Sequence, residues 1–157
     1  MNKKFWPNGK DFAFTIVDDT DNCTIENIKP VYDYLFKIGL LTTKTIWTYP
    51  PNDRFTGLCL QDEKYLKYIK VLRKQGFEIA IHGVGSGSFT RDEILKGLEI
   101  YKSFLKEYPS MHINHAQNLD NIYFGNRGGS KLLQRYSKIK SPLDKAYGED
   151  KNSKHFW

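Results

Sequence analysis

The chain has no run of apolar residues approaching the ~18 needed for a membrane-spanning helix, so no transmembrane segment is expected. Behind the two lysines of its opening MNKKFWPNGKDF there is no apolar core of the kind a secretory signal carries, which makes the cytoplasm the expected location. Cysteine is scarce. The two present, Cys23 and Cys59, lack a Cys-x-x-Cys spacing, so neither a zinc ribbon nor a disulfide framework is indicated and buried free thiols are expected. Internal repeats and low-complexity segments are also missing.

What is present describes an ordered globular protein: 39% hydrophobic, 15% aromatic and 27% charged residues in a chain of 157. That length suits a single domain with a core of its own. The net charge of +6 is compatible with an anionic partner such as an acidic glycan, a membrane surface or nucleic acid. The basic residues are dispersed, however, with Lys64, Lys67, Lys70 and Lys74 spaced along one expected helix and others between Lys131 and Lys154. This is the pattern of solvated helix faces, and no nucleic-acid partner is expected.

The chain is organised around Asp11–Asp21, DFAFTIVDDTD. Phe12 to Val17 read as a buried strand, and Asp18 and Asp19 follow at its carboxyl end, the edge where open α/β sheets and barrels build sites. Two adjacent carboxylates repel unless a cation or a hydrogen-bond network compensates, and they read as a metal-and-base pair. Thr24 is an expected N-cap, Pro30 lies near the first turn, and Ile28, Val31, Leu35 and Ile38 form an apolar stripe ending at Gly39. Thr43 to Tyr49 make a second strand, and the loop after it carries Asp53 and Arg54. Asp62 caps a helix bearing Tyr65, Leu66, Ile69 and Leu72, which Gly76 stops. Phe77 to His82 form a third strand, followed by a flexible connector, GVGSGS. Thr90 and Glu93 form a capping box for a helix through about Lys106, with Ile94, Leu98, Tyr101 and Leu105 on its apolar face. Met111 to His115 make a fourth strand. Farther on, only Lys131 to Ser137 read as helix, and the ending His155-Phe156-Trp157 reads as a chain cut before its next element.

A strand and helix alternating at a rhythm of about thirty residues is the signature of a parallel sheet or barrel. It would bring Asp18, Asp19, His82, His112 and His115 to one rim. Histidines with a carboxylate suit Zn2+ or another divalent ion such as Co2+, Mn2+ or Fe2+, and a second carboxylate can take a proton from water, which is hydrolytic chemistry.

TIVDDTD resembles the T-F-D-D-G motif of the polysaccharide deacetylases (NodB-homology domains, carbohydrate esterase family 4), and FEIAIH resembles the strand that opens their H-[ST]-x-x-H motif. The resemblance runs from about Lys10 to Gly125 and leaves 126–157 weakly patterned. It implies an irregular α/β barrel with parallel strands, of which the first four βα units are visible in a single domain. Asp18 would be the general base, with Asp19 and His82 as ligands of a divalent ion, expected to be Zn2+. Ser86 stands where the second metal histidine would fall, and His115, or else His112, would take that role. The motif R-x-P-[YF] is replaced by His112 to His115, and His155, the sole later histidine, gets no support from its setting as the family's late general acid. The implied activity is removal of acetyl groups from an N- or O-acetylated sugar or polysaccharide, with His112, Asn114, Trp47 and Tyr49 contacting the carbohydrate substrate. Two further readings remain open: a degenerate domain that binds glycan without cleaving it, and a haloacid-dehalogenase-like phosphatase using Asp19 and Asp21.

Overall fold

A computed structural model describes residues 9–115. The helix expected over Lys131–Ser137, and His155, lie outside these residues. Four strands alternate with three helices: β1 Val17–Asp18, α1 Ile25–Lys37, β2 Thr43–Ile46, α2 Glu63–Lys74, β3 Glu78–His82, α3 Arg91–Leu105 and β4 His112–Ile113. The sheet runs in the order β1-β2-β3-β4 with every neighbouring pair parallel, so consecutive βα units are laid side by side as in part of a barrel. All strand carboxyl ends therefore share one rim.

The helices form where local signals put them. Thr24 and Thr90 each close a capping box, with Asn27 and Glu93 returning the bond, and the Asp62 carboxylate accepts from the Tyr65 N–H. One side of each helix is buried on the sheet: Ile28 and Tyr32 from α1, Tyr65, Ile69 and Leu72 from α2, and Ile94, Leu98, Tyr101 and Leu105 from α3, against Ile46, Ile79 and Ile81. On α2 all four spaced lysines are exposed. Cys23 and Cys59 are buried free thiols. No helix of the described residues is long and apolar enough to cross a membrane.

Three expectations are corrected. The first strand is much shorter than Phe12–Val17: Phe12 and Phe14 are 76% and 75% exposed, because β1 is an edge strand and nothing among the described residues covers that run. In α1 the buried side is Ile28 and Tyr32, while Val31 and Ile38 are exposed and Pro30 sits inside the helix, beyond the first turn. The GVGSGS connector is packed rather than flexible. Val84 and Ser86 are buried, and the Thr48 and Tyr49 N–H groups both donate to the Val84 carbonyl.

Candidate metal centre

The turn leaving β1 supplies the first donors. The Asp19 carboxylate accepts from the Asp21 N–H at 3.0 Å, folding the chain back so that both carboxylates stay at the rim. Asn22 then adopts a left-handed φ of 57°. Its side-chain oxygen accepts from the Thr56 N–H and hydroxyl, and its own N–H donates to the Thr56 carbonyl, tying this turn to the loop after β2.

His82 ends β3. Its Nδ1 lies 3.2 Å from the Ile113 carbonyl of β4, and since a carbonyl only accepts, Nδ1 carries the hydrogen and Nε2 presents its lone pair. That Nε2 is 3.6 Å from Asp19 Oδ1. His115, two residues past β4, places Nε2 3.1 Å from Asp21 Oδ1. Gly83, at φ +58°, makes this approach possible, because a Cβ there would sit 3.3 Å from the His115 Cβ. The imidazole centroids are 4.9 Å apart. One ligand atom each from Asp21, His82 and His115 lies within 4.8 Å of the others, so the three can hold a metal ion together. The donor set fits a divalent ion: two imidazoles and one carboxylate leave open positions, and a ring N–H fixed by a carbonyl, as in His82, is the usual support of a metal-binding imidazole. Burial lowers the His82 pKa, partly opposed by the Asp19 charge, which keeps the ring neutral and able to ligate.

Asp18 is placed elsewhere. Its Oδ2 accepts from the Lys44 ammonium at 2.8 Å and from the Tyr32 hydroxyl at 2.9 Å, and its carbonyl accepts from the Thr45 hydroxyl. Lys44 is fully buried, and Tyr32 belongs to the helix layer, so Asp18 is engaged there while Asp19 and Asp21 serve the histidine side. The Asp18 charge adds to burial in pushing the Tyr32 hydroxyl pKa far up. His112 is buried beside the centre but outside the ligand group, and burial brings its pKa down to about 4. Trp47 is fully buried with its ring edge-on to His115, Tyr49 is stacked on Phe89, and Asn114 is half-buried between β4 and His115.

Asp21 is the ligand candidate absent from the metal set read from the motif. Its signal was the aspartate spacing of DDTD, where a turn returns the third carboxylate to the rim. Ser86 does not join the ligand group. Its hydroxyl donates to Asp53 Oδ1 at 2.7 Å, which also accepts from the Phe55 N–H. Burial alone would raise the Asp53 pKa, but these two hydrogen bonds outweigh it and hold the carboxyl below its usual range.

Set against protein-family models, curated proteins and solved structures, the chain matches none of them. The deacetylase resemblance rests on its motif residues alone.

Proposed function

We propose that this chain is a metal-dependent hydrolase that removes an acetyl group from an acetylated sugar. The observation that carries the reading is the convergence of Asp21, His82 and His115 from three separate strand ends, with the Asp19 carboxylate alongside. Their positions in sequence are far apart, and the parallel βα order is what unites them. A divalent ion held there supplies Lewis-acid polarisation of an acyl carbonyl and makes water more acidic.

The remaining work falls to the protein. Asp19, exposed and within 3.6 Å of a ligand nitrogen, takes a proton from the attacking water. As the new C–O bond forms and the bond to the leaving group breaks, that proton passes to the departing nitrogen or oxygen. Asp18, whose carboxylate is already engaged by Lys44 and Tyr32, holds the turn in place. The sugar is drawn from the motif resemblance, and a carbohydrate ring would meet the half-buried Tyr49 and Phe55 at the loop rim.

The test is the metal content of the full purified chain by elemental analysis, repeated on His82→Ala, His115→Ala and Asp21→Ala, followed by acetate release from acetylated chito-oligosaccharides. About one equivalent in the native chain, lost in the variants, is expected of a three-ligand site. No bound metal after supplementation with zinc, cobalt, manganese and iron would overturn the reading.

A further inference from the structure

Exposed apolar side chains collect along the free side of β1 and the adjoining flank of α1. Phe12, Phe14, Ile16 and Val17 before and in the strand, and Val31, Tyr34 and Ile38 on the helix, are between 40% and 76% exposed. Among the described residues β1 has one strand neighbour, β2, so its other edge is open.

The two parts adjoin. Continued through residues 12–16, the alternation of β1 puts Phe12, Phe14 and Ile16 on the face of Asp18, whose carboxylate accepts from Tyr32 of α1. The flank of α1 toward α2 carries Asp33, whose charge adds to burial in raising the Tyr68 hydroxyl pKa on α2 to about 12. By the helical repeat, Val31, Tyr34 and Ile38 fall on the other flank, on the free side of β1.

Taking about 200 Å² for a large side chain fully in water, the seven exposures amount to roughly 800 Å². That exceeds the ~300–600 Å² of the largest patch on an ordinary monomer and matches one partner's share of a standard interface. Charge and topology narrow the occupant. The chain carries +6 overall, so two copies meet most easily through an uncharged surface, and none of the seven residues is charged. The βα units follow one another in order from β1, so the chain leaves β4 at the opposite edge of the sheet.

We propose that this surface is the contact of a two-fold homodimer, in which the runs through β1 pair antiparallel and the α1 flanks meet. An axis between the two copies of Phe14, perpendicular to the sheet, sets Phe12 opposite Ile16 and keeps both helix layers on one face. Centred on Thr15 instead, the pairing would oppose Phe12 to Asp18. The contact uses none of Asp21, His82 and His115, so it stands apart from the hydrolase reading.

The test is sedimentation equilibrium of the full chain, with each variant's fold checked by circular dichroism. A dimer with a Kd of micromolar order or tighter is expected, the range for interfaces of this size. Phe14→Asp sets like charges face to face at the axis and should raise Kd about 100-fold or more, as should Phe14→Lys, whereas an equal mixture of the two recovers a dimer. Tyr34→Glu weakens the dimer through the helix part and carries the test if the Phe14 variants do not fold. Val71→Asp, at an exposed apolar position on α2, leaves it unchanged. A native chain that stays monomeric up to about 100 µM, its apolar edge then covered from within the chain, overturns the proposal. So does a native dimer that Phe14→Asp leaves intact, or a charge-paired mixture that fails to associate.

Discussion

Asp18, Asp19 and Asp21 lie within four residues of one another, yet the fold gives them different partners: a buried ammonium for the first, imidazoles for the other two. Breaking a buried ion pair by removing one charge costs more than the pair contributes, because the partner is stranded. Asp18→Asn leaves the fully buried Lys44 ammonium without its carboxylate, and we expect it to destabilise the protein by ~2–4 kcal/mol in urea unfolding while metal stoichiometry stays unchanged. Lys44→Met, which strands the part-exposed Asp18 instead, should cost less. His112 sets a pH dependence. In the folded chain burial brings its pKa down to about 4, whereas the free side chain takes its proton near 6.5. The unfolded state therefore binds more protons between those values, so stability is full above about pH 6.5 and is lost as the pH falls toward about 4. In chelator-treated protein we expect a loss of about 2 kcal/mol between pH 7 and pH 5, and His112→Gln should flatten the curve.

At the level of elements, the helices were legible and the strands less so. The N-cap at Thr24, the capping box at Thr90 and the apolar stripe of α3 are local chemistry, and they reappear in the structure. Strand β1 is shorter than its sequence suggests because burial depends on what packs alongside, and six apolar or β-prone residues look the same in sequence whether or not a neighbour covers them. His82 and His115 could be brought to one rim from the βα rhythm. The division of labour among the aspartates could not, since it is decided by Lys44, 26 residues from Asp18 in sequence. Two variants probe single elements. Thr90→Ala removes one cap of α3 and should cost about 1 kcal/mol with no effect on metal affinity. Gly87→Ala drives a Cβ into Asn52 Oδ1 at a φ of +98°, so the Asn52 side chain, whose amide donates to the Ser88 carbonyl, must shift. The left-handed backbone that alanine resists should make the variant less stable by on the order of 1 kcal/mol in urea unfolding, with metal stoichiometry unchanged.

For the whole molecule, an ion that binds the folded chain and not the unfolded one raises stability by mass action. At a free concentration one hundred times its Kd this amounts to ~2.7 kcal/mol, or roughly 10 °C in Tm for a domain of this size. A zinc titration followed by thermal scanning should show that rise and chelator should reverse it, and no shift in either direction would contradict the centre.

The pairing of Asp21 with His115 spans 94 residues of sequence. A ribosome making this chain has released the first carboxylate long before the last imidazole, so the cell cannot load the centre on a nascent fragment that stops short of β4. An ion bound by these three donors would be captured only once β4 has been made, and its retention would report that the four strands have found one another in the right order.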